Sequence, residues 1–249
     1  MSTALEDKLF LALDNEDVGT VQNIIRKRCS PNVVDEDSFS PLIIASAIGN
    51  LEMITLLVKS KADVSYNGKD GSTALLCAVQ EGFVDIAKYL LKNGAKADEN
   101  HTTSSLYSAA QEGHFKLAKM LLRAKADPNR ESKGVCPLFI ASQEGHFKVV
   151  KLLLAAKANP DKPNLGGISP LQIATQMGRS DIINTLITGK ADINTENKSM
   201  RTPLMLAIEG GDLLAVEELI KVSAFLPFWL WHFRTNSYAI LTFYCSSAT

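Results

Sequence analysis

From Pro137 to Ala158 the chain reads PLFIASQEGHFKVVKLLLAAKA, two runs of helical period separated by one glycine. In the first run Leu138, Ala141 and Ser142 stand three and four apart, which lines one stripe of a short helix with small, largely apolar residues. Gly145 follows, and a glycine just past a helix end takes the left-handed conformation without steric cost. In the second run Phe147, Val150, Leu153 and Leu154 recur at helical spacing, while Lys148, Lys151 and Lys157 are left for water. The pattern predicts a helical hairpin. Helices this short are marginal alone in water, and apolar residues on more than one side call for a neighbouring copy on each flank.

The copies are present. Ala141 belongs to a ladder of Ala45, Ala78, Ala109, Ala141, Ala174 and Ala207, with steps of 33, 31, 32, 33 and 33 residues, and Ala12 extends it backwards by 33. Gly49, Gly82, Gly113, Gly145, Gly178 and Gly211 run in register with it. So do paired aliphatics in the second helix, from Ile24-Ile25 through Leu57-Val58, Leu90-Leu91, Leu121-Leu122, Leu153-Leu154 and Leu186-Ile187 to Leu219-Ile220. Three ladders in register predict seven stacked units, with small residues where backbones approach and large ones where each unit packs on the next.

These units resemble the ankyrin repeat, about 33 residues folded as a turn and two antiparallel helices. The family's helix-opening motif is matched in part by Ser40-Pro41-Leu42, Ser169-Pro170-Leu171 and Thr202-Pro203-Leu204. Its glycine-histidine step is matched by Gly113-His114 and Gly145-His146, and its alanine-aspartate exit by Ala62-Asp63, Ala126-Asp127 and Ala191-Asp192. The resemblance spans residues 5 to 224 and implies an all-α solenoid whose turns project as fingers beside the inner helices. It also implies a concave surface, made by fingers and inner helices, that binds a protein partner. One departure runs through every copy: the motif's histidine is replaced by Ile43, Leu76, Tyr107, Phe139, Gln172 and Met205. In the family that imidazole ties neighbouring turns together, so apolar packing is expected to take over much of the work here.

Domain boundaries follow the repeat. Residues 1–224 are expected to form the repeat domain, with residues 4 to 37 as a divergent first unit that carries Glu16 in the glycine slot. Thr3 and Glu6 have capping-box spacing, consistent with a helix start. Glu6 and Asp7 precede an apolar run, Leu9 to Leu13, too short for a signal peptide. After Ala224 the pattern stops and FLPFWLWHFRTNSYAILTFYCSSAT follows, with both tryptophans and eight of the seventeen aromatic residues. Arg234 to Ser237 interrupts this tail well short of the ~20 apolar residues a membrane span needs. Three readings stand for 225–249: a membrane anchor, a hydrophobic arm that docks on the last unit, a partner or a membrane surface, and an unselected splice or frameshift product.

Composition and charge narrow the chemistry. A hydrophobic share of 46% and net charge of −1 suit a water-soluble protein and suggest neither nucleic acid nor an anionic membrane as partner. Cys29, Cys77, Cys136 and Cys245 lack paired spacing, which points to a reducing compartment and a cytoplasmic location, with the nucleus also open. Gly166-Gly167 lacks the Lys-Ser/Thr of a phosphate loop. His114 and His146 are equivalent positions in successive units, and helices stacked about 8–10 Å apart make a shared metal ion depend on both rings reaching inward. No cofactor, metal or catalytic group is expected. Lys88, Lys92, Lys116, Lys119, Lys148 and Lys151 read as the solvated face of the outer helices.

The candidate partner-binding residues are the two before each glycine: Gln80-Glu81, Gln111-Glu112, Gln143-Glu144 and Gln176-Met177. A column of glutamines beside glutamates would suit a partner with basic or amide-rich segments. The plainer reading is that these are good helix formers at solvated sites. The expected function is a non-catalytic protein-interaction scaffold or adaptor. The alternatives are a membrane-associated adaptor held by residues 225–249 and a fragment of a longer ankyrin-repeat enzyme without its catalytic domain.

Overall fold

The structure, a computed structural model, describes residues 4–98 and 103–224. Thr3 and the tail 225–249 therefore lie outside the described residues, as do His101, His232 and Cys245. The described residues hold fourteen α-helices and no strand, an all-α repeat solenoid. The chain divides into two compact units, Met1–Lys133 and Gly134–Thr249. The first contains α1 (Ala4–Asp14), α2 (Val18–Arg26), α3 (Pro41–Ile48), α4 (Leu51–Lys59), α5 (Ala74–Gln80), α6 (Val84–Lys92), α7 (Ser105–Gln111) and α8 (Phe115–Arg123). The second contains α9 (Pro137–Glu144), α10 (Phe147–Ala155), α11 (Pro170–Gln176), α12 (Ser180–Thr188), α13 (Pro203–Gly210) and α14 (Leu213–Ala224). In the first unit the odd-numbered inner helices pack in the row α1, α3, α5, α7 and the outer ones in the row α2, α4, α6, α8. In the second the rows are α9, α11, α13 and α10, α12, α14.

The inner helices start where the sequence supplies a cap. Ser40, Thr73, Ser104, Ser169 and Thr202 each accept a backbone N–H of the first turn through the side-chain oxygen, and proline at the first helical position of α3, α11 and α13 needs no partner there. They end at the glycine ladder. Gly49 (φ 92°), Gly145 (φ 87°) and Gly211 (φ 67°) are left-handed, and the next residue donates its N–H to the ladder alanine, as from Asn50 to the Ala45 carbonyl at 3.2 Å. Glu16 fills the same slot in the first repeat at φ 54°, a conformation that disfavours a side chain.

The outer helices close on a second ladder. Arg28, Lys61, Lys125, Lys157 and Lys190 all have φ between 66° and 72°, and Gly94 takes the same place at φ 103°. The residue after each, such as Ala62 or Ala158, donates 3.0 Å bonds back to Leu57 and Leu153, completing the helix end. A lysine there loses roughly 1–2 kcal/mol to left-handed strain and recovers part of it beside the negative end of the helix dipole. Lys61→Gly and Lys157→Gly are therefore expected to raise stability by about 0.5 kcal/mol each, and Gly94→Lys to lower it by a similar amount. Urea titration followed by circular dichroism checks this, and a loss of stability from either glycine substitution overturns it.

On the outer helix of the reference stretch the buried residues are Val149, Val150 and Leu153. Phe147, expected on the apolar face, is exposed at 37%, because it stands at the helix start, outside the packed seam. The inner helices α3, α5, α7, α9 and α11 are buried along most of their length, as Pro137 to Ser142 of α9 all are, whereas α1 leaves Leu11 exposed at 62%.

A polar ladder ties the fingers together where apolar packing was expected. Asp63 and Asp192 donate their N–H groups to Asn32 and Asp161 at 2.7 Å, and Asp127 donates to Asp98 in the same way. Two fingers also lie on their predecessors: Tyr66 Oη donates to the Ser38 carbonyl at 3.0 Å, and Lys198 Nζ to the Leu165 carbonyl at 2.7 Å. At one motif-histidine position an amide replaces the imidazole. Buried Gln172 accepts from Ser169 N at 2.8 Å and donates to the Thr195 and Arg201 carbonyls at 2.9 and 2.7 Å. Ile43, Leu76, Tyr107 and Phe139 are buried at the same position, as apolar packing requires.

Candidate partner-binding surface

The glutamine and glutamate columns occupy the last turns of the inner helices. In the first unit Gln80 ends α5 and Gln111 ends α7, with Glu81 and Glu112 as their C-caps, all four exposed. In the second, Gln143 and Glu144 end α9, and Gln176 ends α11 with Met177 as its C-cap. Gln143 is half-buried, Glu144 and Gln176 are exposed, and Met177 is exposed at 47%. Within two of these pairs the amide holds the carboxylate: Gln111 Nε2 donates to Glu112 Oε1 at 3.1 Å and Gln143 Nε2 to Glu144 Oε1 at 2.9 Å.

Placement of a glutamate here is electrostatically unusual. The C-terminal end of a helix carries partial negative charge, so an anion loses about 0.3–1 kcal/mol where a cation would gain it. The helix end is instead met by side-chain nitrogens of the following repeat. His114 lies over Gly82, its Nε2 3.4 Å from the Gln80 carbonyl, and Arg179 lies over Gly145 and donates to the Glu144 carbonyl at 3.4 Å. A Cβ on Gly82 or Gly145 would sit about 3 Å from those side chains. The glycine ladder thus serves two ends, a left-handed turn and room for the next repeat's side chain.

The residue after each glycine divides its labour accordingly. Asn50 and Asp212 cap their own outer helices, accepting from Met53 N and Ala215 N at 3.0 and 3.1 Å. Phe83, His114, His146 and Arg179 make no side-chain cap bond. In the glycine-histidine step at Gly113-His114 the ring makes this contact with the preceding repeat. Among the described residues no group of three or more His, Cys, Asp or Glu is placed to hold a metal ion.

Lys88, Lys92, Lys116, Lys119, Lys148 and Lys151 are exposed on the outer helices. Cys29, Cys77 and Cys136 are free thiols. Burial pushes the Cys77 thiol up to about 11, with Asp70 and Glu81 adding to the shift, and burial raises Cys136 and Cys29 as well. All three are poor nucleophiles at neutral pH. No described helix is long and apolar enough to cross a membrane.

Comparison with known proteins agrees with this architecture. The family profile "Ankyrin repeats (3 copies)" matches residues 9–103, 96–164 and 138–226. Mouse protein phosphatase 1 regulatory subunit 27 is 36% identical over 104 residues, which is 41% of this chain and 68% of that protein. Mouse ankyrin repeat and SAM domain-containing protein 6 is 40% identical over 65 residues, 26% of this chain and 7% of that one. Among solved structures, the human ASB11 ankyrin repeat domain superposes with a TM-score of 0.76 at 24% identity, over 88% of this chain and 98% of its own, a likeness of fold. Ladders, helix pairs and profile coincide along the described chain, which belongs to the ankyrin repeat family.

Proposed function

We propose that the chain is a non-catalytic protein-binding scaffold whose partner seats on the ends of the inner helices and the adjoining fingers, on the concave face that the family resemblance implies. The observation that carries this is the position of Glu81, Glu112 and Glu144, exposed at helix C-termini where the dipole opposes them. Helix stability does not ask for an acid there, and a partner with basic or amide-rich segments does. Ankyrin repeats are in general protein-interaction modules, and a relative named as a phosphatase regulatory subunit belongs to the same kind of protein, one that acts through another. A stable complex on such a face would bury roughly 1,200–2,000 Å². Free thiols at Cys29, Cys77 and Cys136 support residence in the cytoplasm or nucleus.

The test is affinity capture by the full chain and by a variant with Gln80, Glu81, Gln111, Glu112, Gln143 and Glu144 all changed to alanine, which keeps the helices. Protein phosphatase 1 is included as a defined candidate, and far-ultraviolet circular dichroism confirms equal folding. Capture of a partner that falls at least tenfold in the variant is the expected result. Unchanged capture would remove these columns from the interface.

A further inference from the structure

The first repeat carries a groove that the glutamine and glutamate columns do not account for. It lies between α1 and the first finger, has a volume of about 710 Å³, and is lined by eight residues of two kinds. Phe10, Leu11 and Val34 make an apolar floor, with Leu11 exposed at 62% and Val34 at 44%. Glu6, Asp7, Asp14, Asp35 and Glu36 surround it, and no lysine, arginine or histidine lines it. Five formal negative charges in one groove contrast with −1 for the whole chain. The other side of α1 is mixed, with Lys8, Asp17 and Lys27 around a second, smaller groove.

Two features of the repeat explain why the groove exists. Counted along the ladder, α3 begins at Pro41, which corresponds to residue 8, but α1 begins at Ala4 and so adds a turn bearing Glu6 and Asp7. Two later fingers lie against the one before, Tyr66 on Ser38 and Lys198 on Leu165. Among the described residues no earlier finger lies against Val34 to Glu36, and the groove occupies that place. Asp14, 66 residues before Gln80, is the first member of the glutamine column, so the groove adjoins the proposed binding surface.

We infer that this groove docks a short extended segment of a protein partner, rich in lysine and arginine around one apolar side chain, which lies along the first finger as a further finger would. The apolar side chain covers Phe10, Leu11 and Val34, and the basic residues face the surrounding carboxylates. Charge complementarity of this sort sets specificity and association rate, and it is screened by salt. The inference rests on the reading of the chain as a protein-binding scaffold and names one class of segment that it takes.

The probe is a fluorescein-labelled peptide, GRKRLKRKG, titrated with the full chain and read by anisotropy at 50 and 300 mM salt. A serine in place of its leucine gives the second probe. The groove variant is Asp7→Asn, Asp14→Asn and Glu36→Gln, none of which is seen to hold a cap or turn. Val34→Ser tests the floor. Expected are saturable binding to the native chain, at least threefold weaker binding of the serine peptide and to Val34→Ser, and at least tenfold weaker binding to the triple variant with a smaller salt dependence than the native chain shows. The six-alanine variant should keep peptide affinity within twofold, so loss of its partner and loss of the peptide report on separate readings. No binding to the native chain overturns the inference, as does equal affinity for the triple variant or indifference to the leucine. Self-association that the triple variant abolishes would give the groove to a second copy and equally overturn it.

Discussion

Gln172→Leu will destabilise the protein by about 3 kcal/mol, although leucine is the more hydrophobic residue and of similar size. The side chain is fully buried and makes one bond as acceptor and two as donor. Leucine leaves the Ser169 N–H and the Thr195 and Arg201 carbonyls without those partners, and each such loss at a buried site costs about 1 kcal/mol or more. The Arg201 carbonyl retains the bond from Asn197 N at 3.1 Å, which keeps the sum near the lower end. Gln172→His is the informative companion. Imidazole is the group the family's motif holds at this position, and it can supply a donor toward the same finger, so its cost should be no more than half as large. Urea midpoints of the two variants decide the matter. A leucine variant as stable as the native protein would mean that the amide bonds contribute nothing net, and that packing alone holds this finger.

Gln172 also marks how far the sequence could be read. Its place in the motif-histidine column was legible, and so was the general expectation that apolar residues take over there. That holds for Leu76 and Phe139 and fails for Gln172, because an amide's bonding depends on where the next finger's carbonyls fall, and spacing carries no such information. The helix pairs were legible because three residue ladders repeat in register, and a periodic signal survives variation at any one copy. Arg28, Lys61, Lys125, Lys157 and Lys190 form an equally regular ladder, of which the sequence reading took up only Lys157, as a residue left for water. Its signal was present as steps of 32 or 33 residues and a multiple across Gly94, but lysine does not announce a left-handed backbone as glycine does. Gln80 to Met177 stand at the last turns and C-caps of inner helices, next to the glycines that mark the helix ends in the sequence. The acidic groove was not legible, since it needs Val34 and Glu36 of a finger brought beside Asp7 and Asp14 of a helix. Nor does the sequence show the division after Lys133, where the repeat ladder continues without interruption.

Leu90→Ala, in the middle of the first unit, is expected to cost 3–5 kcal/mol. Leu90 is 0% exposed on α6, an outer helix that packs on α5 and has α4 and α8 on its two sides. Shortening it removes buried apolar contact and opens a cavity in the packed layer. In a repeat protein stability is close to a sum of intrinsic repeat terms and nearest-neighbour interfaces, so a buried residue on a helix flanked by two others can count in more than one term. Leu213→Ala supplies the contrast. The chemical change is identical and lies on an outer helix of the last repeat, but Leu213 is 76% exposed, and the expected effect is within about 0.5 kcal/mol. Helix propensity is nearly the same in both substitutions, since leucine and alanine are both good helix formers. Any difference between the two urea midpoints therefore reports stacking and not local helix stability. Equal, small losses would show that the repeats hold together chiefly through their finger ladder. Equal, large losses would mean that Leu213 is covered in solution by a surface that the described residues do not supply.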